Sequence, residues 1–444
     1  MNDIDYSESN IRRNSIMTTI IKICSMGLSF FSSPLMLQCL GTEKYGIWAS
    51  TLSLVSWIYY FDIGIGGGLQ NKLATALAQG RDNDARKLVG AAYLILSILS
   101  LIGFIVGVLF FTFFDVTKFL NFKTVDENIS LILVISLFFT CIVFVTQLIT
   151  SILFAIQKAS IVSFFGLVGQ TLFFLLLICF NRFSVQSLFW VVVANGIVNV
   201  LKNIFASIFV VIRFPRLRGS FKDVSVKNGK SIISFGMLIF IINIGALILN
   251  STDNLLISHF YGPAEVTPYS FCNTYFSMIQ SVFVAVVLPS LGAFTAAYAQ
   301  NNYQRIKKLV GTNLIFWLIF SIGTIIAGFI FIPFTKFWLR KELFFPKGLI
   351  PLMVFYYVLL MLGHITGSFI NAIYGTKRII IPSIISTLIN IPMSIIFSVV
   401  LGLGLSGIIL GTCVSAIFML PFQLYVFVDS LKKMKINHLD EEKK

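Results

Sequence analysis

Apolar runs of about 20 residues follow one another along the whole chain, and the charged residues stand mainly in the short stretches between them. A transmembrane helix needs about 20 apolar residues to cross a hydrocarbon core roughly 30 Å thick. Of the 444 residues, 57% are hydrophobic and only 11% are charged, against roughly 25% charged in soluble domains. Twelve spans would use nearly all of these apolar residues, so no soluble catalytic domain fits. The sequence therefore predicts an all-α polytopic membrane protein.

Charge and turn clusters divide the chain into twelve predicted transmembrane helices. They are expected near residues 13–39, 46–70, 89–114, 129–156, 160–181, 186–212, 232–258, 267–297, 309–335, 349–375, 379–401 and 403–428. The termini and the loops on their side hold 23 of the 33 Lys and Arg residues, whereas the opposite loops hold eight. Because these groups resist translocation, their excess marks the cytoplasmic side. The sequence therefore predicts that both termini are cytoplasmic.

The two halves of the chain repeat each other at an offset of 221 residues. ALAQGRDNDARKLVG (76–90) matches AYAQNNYQRIKKLVG (297–311) at seven of fifteen positions, and the same offset carries Gly41 onto Gly262. Six spans per half is an even number, so the halves are expected to be two parallel six-helix pseudo-repeats. The predicted division is a first lobe at 1–213, a basic cytoplasmic linker at 214–231, a second lobe at 232–430 and a cytoplasmic tail at 431–444.

Metal, disulfide and nucleic-acid chemistry are not expected. All six cysteines lie in apolar stretches without a CxxC pair, so they are interpreted as small core residues rather than ligands. The formal net charge is +15, but its basic residues stand in short loops that orient the chain in the membrane, and no nucleic-acid partner is predicted. Motifs of hydrolases and nucleotide-binding enzymes (HExxH, GxSxG and the P-loop) are missing, and the chain is expected not to be an enzyme.

Four charged side chains lie inside predicted spans, where a charge costs about 2.5–3.5 kcal/mol even on a lenient insertion scale. They are Lys22, Asp62, Lys202 and Asp253. Each needs a partner or water, and two interpretations stay open. The groups either pair with each other, Lys22 with Asp62 or Lys202 with Asp253, or they line a hydrated cavity. In that cavity the lysines would bind an anionic substrate and the acids would carry ions.

Polar residues also recur at three- and four-residue spacing, which places them on single helical faces. In the sixth span, Asn195, Asn199 and Asn203 share a face with Lys202. The corresponding polar residues are Asn243, Asn250 and Asn254 in the seventh span and Tyr357, His364 and Asn371 in the tenth. Such polar faces favour a cavity between two lobes near the midplane, with His364 as a candidate proton relay.

Two segments carry a resemblance to a known family. The first is LQCLGTEKYGIW (37–48) followed by FDIGIGGGLQNKLATALAQGRDNDARKLVGAAY (61–93), and the second is NSTDNLLISHFYGPAEVTPYS (250–270). They resemble the signature regions of bacterial polysaccharide repeat-unit flippases of the O-antigen type. That family belongs to the multidrug/oligosaccharidyl-lipid/polysaccharide flippase superfamily, and the resemblance extends along nearly the whole chain.

The resemblance implies a MATE-like fold and transport of undecaprenyl-pyrophosphate-linked oligosaccharide across the bacterial inner membrane. The glycan would pass through a cationic cavity by alternating access, with Lys22 and Lys202 facing pyrophosphate or acidic sugars. The asparagine faces and Tyr357 would contact sugar, and Asp62 and Asp253 would couple transport to protons or sodium ions, with no cofactor. Further partners implied are membrane lipids, a polysaccharide polymerase and a chain-length regulator.

Two other functions remain as alternatives. A cation-coupled multidrug antiporter of the same superfamily would have a cavity in which acids dominate, and the two deep lysines argue against it. A membrane polymerase or ligase would be expected to need a sizeable outer loop, whereas the longest one predicted here, 115–128, has only fourteen residues.

Overall fold

The structure is a computed structural model that describes residues 8–62, 64–122, 126–219, 251–340, 342–375 and 377–441. Within these residues every regular element is helical. The helices are α1 Glu8–Val55, α2 Ile65–Ala78, α3 Asp82–Phe113, α4 Val116–Phe119, α5 Ile129–Thr146, α6 Leu148–Ala155, α7 Ala159–Arg182, α8 Leu188–Arg213, α9 at 251–261, α10 Pro263–Val287, α11 Pro289–Ala299, α12 Tyr303–Leu339, α13 Leu349–Tyr374, α14 Lys377–Ile395 and α15 Gly404–Glu441.

Ten helical segments in the described part of the chain are long and apolar enough to cross a membrane. The first, Met17–Tyr59, contains one predicted span and the start of another. Gly41, with φ of 72° and ψ of 178°, separates the two helical stretches inside α1. The predicted seventh span lies largely outside the described residues.

The predicted second span, 46–70, is not one continuous helix, and this prediction was wrong. A 3₁₀ segment at Ser56–Asp62 follows α1, and α2 begins only after Gly64, which has φ of 74°. Glycine tolerates this left-handed backbone because it has no Cβ. The helix is therefore interrupted before Ile65, and α2 continues to Ala78 instead of ending at residue 70.

The last helix continues beyond the predicted end of the last span at residue 428, because α15 extends to Glu441. Lys, Glu and Met residues after 428 are good helix formers, so the helix has no local reason to stop where the apolar run ends. This extension also contains an ion pair between residues one helical turn apart, in which Lys433 Nζ lies 2.8 Å from Asp429 Oδ2. The predicted tail at 431–444 is therefore helical as far as it is described.

The described residues form two compact units, one with 8–219 and 262–267, the other with 251–261 and 268–441. In the first unit, buried aliphatic residues of α2, α3 and α6 pack with Phe144 of α5. The second unit contains a core of aromatic rings, with Phe369 4.7 Å from Phe427 and 5.4 Å from Phe294 between ring centroids. The predicted limits of lobes and linker remain predictions.

Close packing of α15 against α14 and the π-helical turn that follows it (Ile396–Val400) depends on two glycines one helical turn apart. A Cβ added at Gly407 would lie 2.4 Å from the Ser398 backbone, and one added at Gly411 would lie 2.4 Å from the Ser394 backbone. This small-residue spacing lets two membrane helices approach until their backbones touch. The contact also brings polar side chains of α14 and α15 next to each other, as the following section describes.

Candidate substrate and ion-coupling sites

The polar face predicted on the sixth span is present on α8 and is joined by hydrogen bonds. Lys202 Nζ donates to Asn199 Oδ1 at 2.6 Å, and Asn199 Nδ2 donates to Asn195 Oδ1 at 2.9 Å. Asn203, one residue further on, donates from Nδ2 to Thr146 Oγ1 of α5 at 3.2 Å. The α-helical spacing therefore places one cation at the end of a row of amides inside the first unit.

Two small cavities adjoin this row. One of about 60 Å³ is lined by Asn195 and Asn199, together with Trp48, Ser136 and Thr140. Within the described residues, neither Trp48 Nε1 nor Ser136 Oγ has a hydrogen-bond partner, although both atoms are buried. A buried polar atom without a partner is costly, so this cavity is suited to water or a hydroxyl-bearing ligand.

The lining of the second cavity, of about 180 Å³, includes Lys202 and Asn203 with Gln147, which separates α5 from α6, and Thr150 of α6. Sequence reasoning did not single out these two residues or Ser136 and Thr140. The sequence did contain a signal for three of these four residues. Ser136, Thr140 and Gln147 follow one another at four- and seven-residue spacing, which places them on one helical face.

Glu127 holds the start of α8, and therefore the polar face, in place. Its carboxylate accepts from the Leu188 and Phe189 backbone N–H groups at 3.0 Å and from Lys44 Nζ at 2.6 Å. Burial raises the pKa of Glu127, but the Lys44 ammonium and the backbone donors outweigh it, so the pKa lies below the usual value. A carboxylate at a helix N-terminus also compensates the helix dipole.

The predicted partners Lys22 and Asp62 do not form an ion pair. Lys22 is exposed on α1, and the Asp62 carboxylate accepts from the Gly66 backbone N–H at 3.1 Å and 3.2 Å. Asp62, two residues before the N-cap Gly64, therefore satisfies a free N–H at the start of α2. Its predicted role in ion coupling stays a prediction.

In the second unit, Asp253 is buried, with 2% of its surface exposed, and lies in a network of hydroxyl and amide groups. Tyr269 Oη donates to Asp253 Oδ2 at 2.5 Å, and Thr412 Oγ1 donates to the same oxygen at 3.1 Å. Asn390 Nδ2 donates to Thr412 Oγ1 at 3.1 Å, and Thr252 Oγ1 lies 3.5 Å from Asn390 Oδ1.

Hydroxyl groups from α10 and α15 thus meet the Asp253 carboxylate of α9, and the amide of Asn390 from α14 joins the network through Thr412. Hard cations prefer oxygen ligands of this kind, and a carboxylate shielded from water can also take up a proton. Tyr269, Asn390 and Thr412 were not predicted from the sequence. Single hydroxyl and amide groups are common in membrane helices, so only the packing of α14 on α15 reveals that these residues converge.

The remaining predicted residues lie apart from this network or outside the described part. Tyr357 Oη donates to Asn273 Oδ1 at 2.6 Å, and His364 Nε2 lies 2.9 Å from Gln280 Nε2. Asn371 is exposed near the end of α13. Asn254 Oδ1 lies 3.5 Å from Ser270 Oγ. Asn243 and Asn250 lie outside the described residues.

A model of the family described as "Polysaccharide biosynthesis protein" matches residues 11–292, more than half of the chain. The chain belongs to the polysaccharide biosynthesis protein family. A second family model, MatE, matches residues 239–396, which include Asp253 and Asn390. The resemblance to polysaccharide flippases, inferred from the two signature segments, is therefore confirmed.

Two proteins of known name are similar to this member of the polysaccharide biosynthesis protein family. A Salmonella typhimurium protein named "Putative O-antigen transporter" is 24% identical over 318 residues, which are 70% of this chain and 71% of that protein. A Yersinia pseudotuberculosis protein named "Putative O-antigen export protein" is 22% identical over 434 residues, 95% of this chain and 96% of that protein. Both names describe transport proteins; that the chain has no catalytic activity remains a prediction.

Solved structures of MATE transporters share the fold of this family member. An inward-facing multidrug resistance MATE family transporter of the MOP superfamily aligns with a TM-score of 0.77 at 14% identity, over 94% of this chain and 99% of that chain. An outward-facing MATE family transporter aligns with a TM-score of 0.61 over 96% and 97%. The prediction of an all-α polytopic membrane protein with a MATE-like fold is confirmed.

Proposed function

We propose that the chain moves undecaprenyl-pyrophosphate-linked oligosaccharide repeat units from the cytoplasmic to the outer leaflet of the bacterial inner membrane. Family membership supports the transport of polysaccharide precursors, and the similar proteins of Salmonella and Yersinia are named for O-antigen. The single observation that carries the proposal is the row Lys202–Asn199–Asn195, in which a cation joins amide groups inside a membrane unit.

The chemistry of this row matches the two polar parts of such a substrate. An ammonium group attracts pyrophosphate, and a charge held away from bulk water interacts strongly with an anion. Amide side chains both donate and accept, so they can exchange hydrogen bonds with sugar hydroxyl groups. The exposed Lys22 would add a second positive charge along the route, and Tyr357 and Asn371 would contact sugar.

Coupling of transport to an ion gradient needs a site that binds the ion, and we assign this role to the oxygen network around Asp253. Two hydroxyl donors approach one carboxylate oxygen there, at 2.5 Å and 3.1 Å. Binding of a sodium ion or a proton would neutralise the buried carboxylate and release these donors. A coupling ion must bind one conformation of the lobe more tightly than the other, and this exchange of partners at Asp253 would give it that difference in affinity. His364 and Asp62 would act as secondary proton carriers.

Deletion of the gene, followed by complementation, tests the proposed function. Loss of polymerised surface glycan, with single undecaprenyl-linked units accumulating in the cell, is the expected result on gels and by mass spectrometry. Complementation by the wild-type gene should restore the glycan. Normal surface glycan without accumulated units would contradict the proposal.

Cation-coupled multidrug efflux is the second candidate, favoured by the buried Asp253 and by the match of the MatE model to residues 239–396. It predicts that the deletion strain becomes sensitive to cationic dyes while its surface glycan remains intact. Lys202 in the first unit forms no ion pair with a described carboxylate. Its positive charge would therefore weaken the binding of cationic drugs, because like charges repel strongly in a site of low polarity. The two readouts of the same deletion strain therefore distinguish the two functions.

A further inference from the structure

Lys202 borders two cavities within the first unit. One, of about 180 Å³, has a mainly apolar lining that also includes the polar side chains of Gln147, Thr150 and Asn203. The other is a groove of about 340 Å³ between α7 and α8, which is within the range of roughly 300–1,000 Å³ typical of ligand pockets. Lys202 borders both.

The groove is apolar except for Lys202. Phe164, Val168 and Leu172 contribute from α7 at four-residue spacing, and Phe205 and Phe209 contribute from α8 at the same spacing. Equal spacing on both helices produces one continuous channel parallel to them. Such an apolar lining is complementary to a hydrocarbon chain.

The lysine stem crosses between the helices where α7 has no side chain. A Cβ added at Gly169 would lie 3.0 Å from Lys202 Cδ, so glycine provides the space through which the stem passes. The amine donates to Asn199 Oδ1 at 2.6 Å, and no carboxylate of the described residues lies within ion-pair distance of it. A charge at membrane depth is costly unless it is neutralised, so the missing component is an anion.

We infer that the groove between α7 and α8 binds the polyprenyl chain of the substrate while Lys202 holds the adjoining pyrophosphate. The glycan, attached to the other end of the pyrophosphate, would then lie toward the cavity that contains the polar side chains of Gln147, Thr150 and Asn203. One groove leads to one amine, which suits a single chain per anionic group rather than the paired chains of a glycerophospholipid. This inference rests on the proposed function and assigns the lipid part of its substrate to a site.

Binding of three probes to the purified full-length protein, with phosphatidylglycerol as a fourth for comparison, tests the inference. Farnesyl pyrophosphate carries both the isoprenoid chain and the anion, whereas farnesol and inorganic pyrophosphate each carry one part. Titrations followed by native mass spectrometry should show tight one-to-one binding of farnesyl pyrophosphate only. Binding of inorganic pyrophosphate or farnesol with equal affinity would overturn the inference, because it requires both contacts. So would stronger binding of phosphatidylglycerol than of farnesyl pyrophosphate.

Two variants separate the two parts of the site. Lys202→Met keeps the apolar stem and removes the charge, and it should weaken farnesyl pyrophosphate binding by about ten- to a hundredfold, the usual range for a lost charge-assisted hydrogen bond. Leu172→Trp should fill the groove and weaken binding similarly. Leu175→Trp is the matched control, because Leu175 is an exposed leucine on the same helix that does not line the groove. Lys202→Arg should retain most of the affinity.

Failure of the inference can be distinguished from failure of the proposed function. If the deletion strain accumulates lipid-linked units but Lys202→Met and Leu172→Trp bind farnesyl pyrophosphate as the wild type does, only the groove assignment is wrong. If the deletion strain makes normal surface glycan, the proposed function is wrong and the inference falls with it. Unfolding temperatures equal to that of the wild type exclude misfolding as the cause of lost binding.

Discussion

Tyr269 Oη donates a hydrogen bond of 2.5 Å to Asp253 Oδ2 in the interior of the second unit. Tyr269 is 6% exposed and Asp253 is 2% exposed, so water cannot replace either partner readily. Thr412 supplies a second donor at 3.1 Å, and no described lysine or arginine pairs with the carboxylate. A buried carboxylate held by hydroxyl groups alone can exchange them for a cation or take up a proton, which is what ion coupling requires.

Asp253→Asn is expected to remove the dependence of transport on the ion gradient. The amide has nearly the same shape but cannot take a negative charge, so neither a proton nor a sodium ion would be bound there. Transport by proteoliposomes with and without an imposed gradient measures this dependence. Glu342→Gln is the matched control, because it neutralises an exposed carboxylate of the same unit whose ion pair with Lys336 contributes little. Unchanged gradient dependence in Asp253→Asn would remove Asp253 from the coupling role.

Lys202→Met is expected to slow transport by roughly ten- to a hundredfold, because the anion of the substrate loses its charge-assisted hydrogen bond. Lys202→Arg should retain most of the rate. Lys118→Met is the control, since Lys118 lies outside the candidate membrane spans, at a short helix end. Surface glycan of the complemented deletion strain provides the readout. Wild-type glycan in a strain in which both Lys22 and Lys202 are replaced by alanine would show that a cationic route is not needed.

Gly411→Ala is expected to lower the free energy of unfolding by about 1–3 kcal/mol, the usual cost of overpacking. The new Cβ would lie 2.4 Å from backbone atoms of Ser394, so α14 and α15 must separate. The same movement would displace Thr412 from Asp253 and weaken ion coupling. Gly323→Ala is the matched control, because no heavy atom lies within 4 Å of the Cβ position there, and it should leave stability unchanged or slightly improved. Equal unfolding temperatures for the two variants would contradict this packing argument.

Stability is expected to depend on the ionisation of Glu127. Its pKa is lower in the folded chain than its usual value, so its stabilising contribution is complete above about 4.3, the ordinary pKa of a glutamate. The contribution is lost as the pH falls through the lower folded-state pKa. Glu127→Gln should therefore unfold at a lower temperature than the wild type near neutral pH, and the difference should shrink in acid. Asp126→Asn, at the exposed neighbouring position, should show no such difference.

The periodicity of polar residues predicted the polar face on α8, because helical spacing alone decides which side chains share a face; its role as a site stays a prediction. Asn195, Asn199 and Lys202 are three and four residues apart, and their hydrogen bonds follow directly from that spacing. The repeat of the two halves at an offset of 221 residues was equally informative about backbone conformation. Gly41 and Gly262, 221 residues apart, have φ of 72° and 90°, and Gly80 and Asn301 at the same offset have φ of 70° and 51°.

Contacts between distant segments could not be predicted in this way. The hydroxyl groups of Tyr269 and Thr412 stand 16 and 159 residues from Asp253, and only the packing of the helices brings them to its carboxylate. Likewise, the sequence indicated that Asp62 is a charge inside a span but did not show that the span breaks beside it. Once the helix restarts at Ile65, the free backbone N–H of Gly66 becomes the nearest donor.

Translocation of the lipid-linked repeat unit in proteoliposomes tests the central claim most directly. Units isolated from the deletion strain would be placed in one leaflet, and exposure of their glycan on the other leaflet would be followed with an added, membrane-impermeant glycosidase. Vesicles that contain the protein should expose the glycan much faster than protein-free vesicles, and Lys202→Met should remove most of that gain. Equal rates with and without the wild-type protein would contradict the account.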